Sequence, residues 1–134
     1  MKRLAAFAFA ALPVLAQGSL VWEHDLASAL KRAQREKKQV FVDVWAEWCP
    51  PCQHLQKNVF PSPEAQKGLS RFVAVSLMTE TRDRKPQAEA VKAAQRFRVE
   101  AFPTLVVLDA DGKELKRQVG AFRTGADLAA WLGK

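Results

Sequence analysis

The chain has few residues that could build a metal centre. Two cysteines and two histidines occur among its 134 residues, and the histidines are His24 and His54. A structural zinc site needs about four nitrogen or sulfur ligands, so zinc is a poor explanation of the cysteines. Covalent haem attachment needs Cys-x-x-Cys-His, but Gln53 follows Cys52. Copper(I) held by the two thiolates with His54 stays open, because soft ligands suit that ion.

The sequence also lacks a hydrophobic run long enough to span a membrane. The apolar run Leu4–Leu15 falls short of the about 18 residues that a transmembrane helix needs. Lys2 and Arg3 precede the run, and small residues end it at Ala16, which is the layout of a secretory signal peptide. We therefore predict a signal peptide over residues 1–16, cleaved after about Ala16, and a periplasmic or secreted protein. An uncleaved N-terminal anchor is the alternative.

No internal repeat, low-complexity tract or second domain is visible. The length suits one domain, and 49% hydrophobic with 26% charged residues is typical of a globular protein. The formal net charge is +7, but the basic residues form no single run and are not interleaved with aromatic residues. We therefore expect no nucleic-acid partner. The folded domain is predicted to occupy residues 17–134.

Hydrophobic periodicity predicts an α/β domain with a mixed central sheet. Helices and strands alternate first, and crossover helices pack on both faces of a parallel sheet. A hairpin follows, turning at residues 109–112. A polar loop is expected at residues 79–85. The predicted helices begin near Asp25, Pro50, Ser62, Pro86 and Thr124, and the predicted strands are Val40–Trp45, Phe72–Leu77, Thr104–Leu108 and Glu114–Val119.

The two cysteines lie three positions apart at the predicted start of a helix. A disulfide stabilises more when it closes a longer loop, so a bridge between Cys49 and Cys52 is a poor structural staple. The spacing instead lets the two sulfurs form and break a bond with little backbone movement. Cys49 precedes the helix, whose unpaired N–H groups favour a thiolate there, and Cys52 lies inside the first turn. We predict a redox-active disulfide with Cys49 as nucleophile, Cys52 as resolving thiol and Trp48 shielding one side.

Asp43 is an acidic residue inside an apolar predicted strand. Its neighbours Val42 and Val44 should desolvate the carboxylate and raise its pKa. Such a group can take and return a proton near neutral pH. Because the resolving thiol must be deprotonated, we predict that Asp43 is the proton acceptor for Cys52. A solvated carboxylate at a strand edge is the alternative.

Pro103 lies in a short break before an apolar strand. A bond before proline adopts the cis form at modest cost, typically in a tight turn. The segment Phe102-Pro103-Thr104 suits such a turn beside the redox site. From these residues alone, a trans loop proline is the more common state.

Together these segments resemble the thioredoxin family. Residues 42–52, with the sequence VDVWAEWCPPC, resemble its active-site segment and depart mainly at Pro50, where thioredoxin has glycine. Residues 102–104 resemble its cis-proline loop, and residues 119–121 resemble the Val-Gly-Ala step before its last helix. The resemblance covers about residues 25–133 and implies a thioredoxin fold.

The resemblance also implies roles for the site residues. It gives the two cysteines and Asp43 the roles predicted above. It implies a cis bond before Pro103, and contact of Trp48, Phe102 and Pro103 with the substrate. No cofactor and no bound metal are expected.

A closer resemblance is to the C-terminal periplasmic domain of the DsbD family of transmembrane thiol:disulfide interchange proteins. It rests on the helix ending in Lys37-Lys38, the break at residues 58–63 and the long loop at residues 79–86. Because this chain lacks the membrane-spanning segments of that family, its electron donor is expected to be a separate membrane protein. Disulfide-containing exported proteins are the expected substrates, and a monomer is the expected state.

The two prolines of the redox site indicate the direction of the reaction. Pro50 and Pro51 have no N–H to donate, which leaves the Cys52 amide as the nearest donor to Cys49. Weaker stabilisation of the thiolate makes a dithiol a stronger reductant. We therefore predict a protein-disulfide reductase. A copper(I) metallochaperone, or a redox-assisted factor for cytochrome or metal-centre assembly, is the alternative.

Overall fold

A computed structural model describes residues 20–134, and the predicted signal peptide, residues 1–16, lies outside the described residues. A π-helical segment, Leu55–Val59, continues directly from the helix Pro50–His54. No helix within residues 20–134 combines the length and the apolar character needed to cross a membrane. The elements are β1 (Trp22–Glu23), α1 (Leu26–Glu36), β2 (Gln39–Trp45), α2 (Pro50–His54), α3 (Pro63–Leu69), β3 (Phe72–Met78), α4 (Ala88–Arg96), β4 (Thr104–Leu108), β5 (Glu114–Val119) and α5 (Gly125–Leu132).

The five strands form one mixed sheet in the order β1-β3-β2-β4-β5. Strands β1, β3 and β2 run parallel, and β4 and β5 are antiparallel to their neighbours. This arrangement confirms the predicted α/β class and its mixed sheet. Strand β2 lies at the centre, so both of its faces are covered. The side chains of Val42 and Val44 point to one face, and those of Phe41 and Asp43 point to the other.

Helices cover both faces of the sheet, as the sequence predicts. Helices α1 and α4 bury Ala29, Ala33 and Ala94 against the valines of the first face. The π-helical segment, α3 and α5 bury their apolar side chains against the second face, where Leu55 and Leu128 are fully enclosed. Asp43 belongs to this second face, and the helical stretch that carries the cysteines therefore packs over it.

The starts of three helices follow from their capping residues. The side chain of Asp25 accepts the N–H of Ser28 at 2.9 Å, which satisfies one of the unpaired donors of α1. The hydroxyl of Ser62 accepts the N–H of Ala65 at 3.3 Å, and Thr124 caps α5 in the same way. These caps confirm the predicted helix starts.

The region between β3 and α4 differs from the prediction. Helix α4 begins at Ala88 rather than at Pro86, because Pro86 pairs with Glu80 in an isolated β-bridge. The N–H of Gln87 then donates to the carbonyl of Thr79 at 2.8 Å. Thr79, predicted to begin a polar loop, is buried, with 2% of the residue exposed. The loop is therefore held by backbone hydrogen bonds that continue from the end of β3.

Two further features were not predicted. Strand β1 has only two residues, and it pairs with β3 through Trp22 and Ala74. The helix after the cysteines contains a π-helical turn, in which the N–H of Phe60 donates to the carbonyl of Leu55 at 2.9 Å. The extra residue in this turn lets Leu55, Val59 and Phe60 all reach the core.

Candidate active site

The two cysteines lie at the junction between β2 and α2. Cys49 is the residue that caps α2, in extended conformation, and Pro50 occupies the first helical position. The Cys52 N–H donates to the Cys49 Sγ at 3.4 Å, and both cysteines are free thiols. Cys49 is 4% exposed, whereas Cys52 is fully buried. Cys49 is therefore the only one of the two that a partner can reach without rearrangement of the helix.

Aromatic side chains and the proline loop surround the Cys49 sulfur. Ala46, Trp48 and Phe102 pack around the two cysteines. The Cys49 thiol donates to the carbonyl of Phe102 at 3.7 Å. The ring of Phe102 meets the indole of Trp48 edge to face, with 6.3 Å between the ring centroids. The peptide bond between Phe102 and Pro103 is cis. The structure thus brings together the three residues that the resemblance placed at the substrate.

Asp43 lies beneath the active-site helix and is completely buried. Its Oδ2 atom accepts a hydrogen bond from Nε2 of Gln56 at 2.8 Å. Its Oδ1 atom is buried and has no hydrogen-bond partner among the described residues. Burial raises the pKa of Asp43 to about 8, and the Gln56 hydrogen bond opposes part of that rise. The carboxyl group therefore titrates close to neutral pH.

The Cys52 thiol is a weak acid in this environment. Burial raises its pKa well above the usual range, and the hydrogen bond with Cys49 adds to the rise. The negative charge on Asp43 contributes to the same increase, because it disfavours a second negative charge on the Cys52 sulfur. A thiol of this kind needs a nearby base before it can attack a disulfide.

Three residues of the site were missed by the sequence analysis. Gln56 bonds the buried carboxylate, and Glu80 and Arg84 contact the indole of Trp48. Gln56 could have been noticed, because it is a polar residue beside the buried Leu55 on the helix of the cysteines. The positions of Glu80 and Arg84 carried no such signal, since both lie in a stretch of polar residues.

His54 was considered as a third copper ligand. Its Nε2 atom lies 2.9 Å from the carbonyl of Arg123, and its Nδ1 atom lies 3.2 Å from the amide of Asn58. Both ring nitrogens therefore have protein partners. Within the described part of the chain, no three or more His, Cys, Asp or Glu side chains are grouped so that they could hold a metal ion.

Curated relatives are similar in sequence to this chain over most of its length. A thiol:disulfide interchange protein DsbD from Colwellia psychrerythraea is 30% identical over 106 residues, which are 78% of this chain and 17% of that relative. The DsbD of Cronobacter sakazakii is 35% identical over 91 residues, which are 68% of this chain and 15% of that relative. The chain thus spans about a sixth of the length of these relatives.

Solved structures extend the similarity to the whole fold. A DsbH oxidoreductase has a TM-score of 0.69 at 21% identity, over 96% of this chain and 95% of that chain. A thioredoxin from Thermus thermophilus has a TM-score of 0.68 at 29% identity, over 85% of each chain. The C-terminal domain of Neisseria meningitidis DsbD, in its oxidised form, has a TM-score of 0.63 at 20% identity, over 84% of this chain and 97% of that chain. A family model described as a thioredoxin-like domain matches residues 26–134, and the chain therefore belongs to the thioredoxin-like domain family.

Proposed function

We propose that this chain is an exported thiol:disulfide oxidoreductase that reduces disulfides in other proteins. The observation that carries the proposal is the unequal environment of the two thiols. Cys49 caps the helix and is slightly exposed, Cys52 is fully buried, and the buried Asp43 carboxylate acts electrostatically on Cys52. This arrangement supports the roles of attacking sulfur for Cys49, resolving sulfur for Cys52 and base for Asp43.

The reaction takes place in two exchanges. The Cys49 thiolate attacks one sulfur of the partner's disulfide, so that a Cys49–partner disulfide forms and the partner's other sulfur leaves as a thiolate. The Cys52 thiolate then attacks the Cys49 sulfur and releases the partner's second thiolate. The dithiol loses two electrons and becomes the Cys49–Cys52 disulfide, and the partner gains those electrons.

Asp43 supplies the proton acceptor for the second exchange. Because burial raises the pKa of the Cys52 thiol, the thiolate forms only when a base removes the proton. The Asp43 carboxyl, whose pKa is about 8, accepts that proton when it is ionised, and its ionised fraction grows as the pH approaches 8. We expect the Asp43→Asn variant to resolve the mixed disulfide at least about tenfold more slowly, as loss of a general base predicts.

A trapping experiment tests the exchange chemistry. In the Cys52→Ala variant the second exchange is blocked, so the mixed disulfide with Cys49 should accumulate on incubation with disulfide-containing exported proteins. The Cys49→Ala variant is the matched control, because it keeps one cysteine but lacks the attacking sulfur. Gel bands that disappear with dithiothreitol should form with the first variant only. Equal bands from both variants would contradict the assigned roles.

The direction of the reaction is tested by the reduction potential. Among the residues at the start of α2, Pro50 and Pro51 lack an N–H, and the Cys52 amide donates to the Cys49 sulfur at 3.4 Å. A single N–H donor stabilises a thiolate weakly, and weak stabilisation favours the disulfide form. Equilibration with glutathione should give a potential near about −270 mV, as in thioredoxin, and a value near about −120 mV would indicate an oxidant.

The export of the protein and its electron donor are part of the proposal. Support comes from the predicted signal peptide over residues 1–16 and from relatives whose names describe thiol:disulfide interchange. A separate membrane protein is proposed to return electrons to the Cys49–Cys52 disulfide. The mature protein, recovered from the exported fraction, should begin at about Gln17. Recovery of the full chain in the membrane fraction would favour an N-terminal anchor instead.

A further inference from the structure

The loop after β3 is bonded to the segment that carries the active site. The Thr79 N–H donates to the carbonyl of Trp45 at 2.8 Å, and the Glu47 N–H donates to the carbonyl of Glu80 at 3.0 Å. These bonds continue the pairing of β2 with β3 beyond the ends of both strands. Residues 80–86 are thereby held at the rim of the redox site, beside Trp48.

Two charged side chains of this loop contact the indole of Trp48. Oε2 of Glu80 accepts the indole N–H at 2.8 Å. The guanidinium carbon of Arg84 lies 4.3 Å from the centroid of the ring, in cation–π contact. The backbone of Arg84 is left-handed, with φ at +63°, an uncommon conformation for a residue with a side chain. The indole also packs edge to face against the ring of Phe102, and the carbonyl of Phe102 accepts a hydrogen bond from the Cys49 thiol.

The acidic side chains near this rim bond groups other than the Arg84 guanidinium. Glu47 accepts the Arg82 N–H at 3.0 Å, Glu80 accepts the indole N–H, and Asp83 pairs with Lys85 at 3.4 Å. Within residues 20–134, no carboxylate lies within ion-pairing distance of the Arg84 guanidinium. Within the described residues Arg84 therefore forms no ion pair, and its guanidinium is positioned on the indole of Trp48.

We propose that Arg84 recognises an acidic side chain next to the disulfide of the partner protein. The inference rests on the proposed function and names a specificity determinant for it. A guanidinium stacked on a ring keeps its N–H groups free at its edge, where they match the two oxygens of a carboxylate. When the disulfide of a partner protein reaches Cys49, the residues next to it lie beside Trp48. An Asp or Glu adjacent to the partner's cysteine can then contact the Arg84 guanidinium.

Matched peptide disulfides test the proposal. Three synthetic peptides, each with one internal disulfide, carry Asp, Asn or Lys next to one cysteine, and kcat/KM for their reduction is measured at low ionic strength. Because exposed ion pairs are weak, we expect the Asp peptide to be preferred over the Asn peptide about two- to fivefold, and the Lys peptide to be the poorest. The preference should shrink as salt is added.

Variants of the two loop arginines assign the preference to one residue. Arg84→Met should bring the ratio of Asp to Asn peptide close to one, and Arg84→Lys should keep part of it. Arg82→Met is the matched control and should keep the full ratio, because the contact of Arg82 with Glu47 uses its backbone N–H. A wild-type protein that reduces all three peptides equally, or an Arg84→Met variant with an unchanged ratio, would overturn the inference. Failure to reduce any peptide would instead refute the proposed function, and this inference with it.

Discussion

Replacement of Asp43 with asparagine should make the protein more stable at neutral pH. The carboxyl is completely buried, its pKa is about 8 rather than the ordinary 3.8, and burial is the main cause. In the unfolded chain the group ionises near pH 4, whereas in the folded protein it stays protonated until about pH 8. Asparagine has the same shape and no charge, so it removes this difference between the two states.

The sign and size of the effect follow from proton binding. Between about pH 4 and pH 8 the folded state binds one more proton than the unfolded state, so the stability of the wild type falls as the pH rises. The slope is ~1.4 kcal/mol per pH unit, which amounts to about 4 kcal/mol between pH 4 and pH 7. Below pH 4 both states are protonated and the cost disappears. The advantage of Asp43→Asn should thus grow from pH 4 and level off above about pH 8.

Urea unfolding of the reduced protein between pH 4 and pH 9 measures this difference. The free energy of unfolding is compared for the wild type, Asp43→Asn and Asp111→Asn. Asp111 lies exposed in the hairpin turn, so its replacement should change stability by less than about 0.5 kcal/mol at every pH. If the difference between Asp43→Asn and the wild type did not change with pH, the assignment of a raised pKa to Asp43 would be wrong.

Two further changes test the packing around the site. Gln56→Leu removes a hydrogen bond that lowers the pKa of Asp43, so the pH profile of mixed-disulfide resolution should move to higher pH; an unmoved profile would argue against the contact. Gly125→Ala should lower the unfolding free energy by about 2 kcal/mol, because the added Cβ would overlap the Ser62 hydroxyl. Gly133→Ala is its control, since the nearest non-adjacent atom of the described residues lies 3.6 Å from that Cβ, and equal losses in the two variants would refute the steric explanation.

The fold was predictable wherever local sequence and tertiary packing agree. The apolar run of β2, broken only by Asp43, and the cap at Asp25 are local signals, and the structure has both elements. Strand β1 has two residues, too few for a period, and it exists because Trp22 packs on Phe41 and Phe60. The π-helical turn likewise depends on the space that the core offers to Phe60, and hydrophobic periodicity does not predict that space.

The residues of the candidate site also divide into those that local sequence predicts and those that only the tertiary structure brings together. Asp43 could be proposed as a site residue because a charge within an apolar strand contradicts its surroundings, and the cysteines because their spacing has few other uses. Glu80 and Arg84 are ordinary polar residues in a polar loop, and only the continued pairing beyond β2 and β3 brings them to Trp48. When the position of a residue depends on hydrogen bonds to a neighbouring element, its own sequence segment gives no pattern that predicts its role.

Packing alone gives no reason for a carboxyl group at position 43. An apolar side chain there would avoid both the cost of desolvation and the buried Oδ1, which has no partner within residues 20–134. The position gains a use only from the helix that covers it, because Cys52 is buried in the same region and its thiol holds its proton tightly. A solvated carboxylate near pKa 4 would be a poor acceptor for that proton, whereas one near 8 is a stronger base. Under the proposed function, the burial that destabilises the fold at neutral pH also makes the ionised Asp43 carboxylate a stronger base.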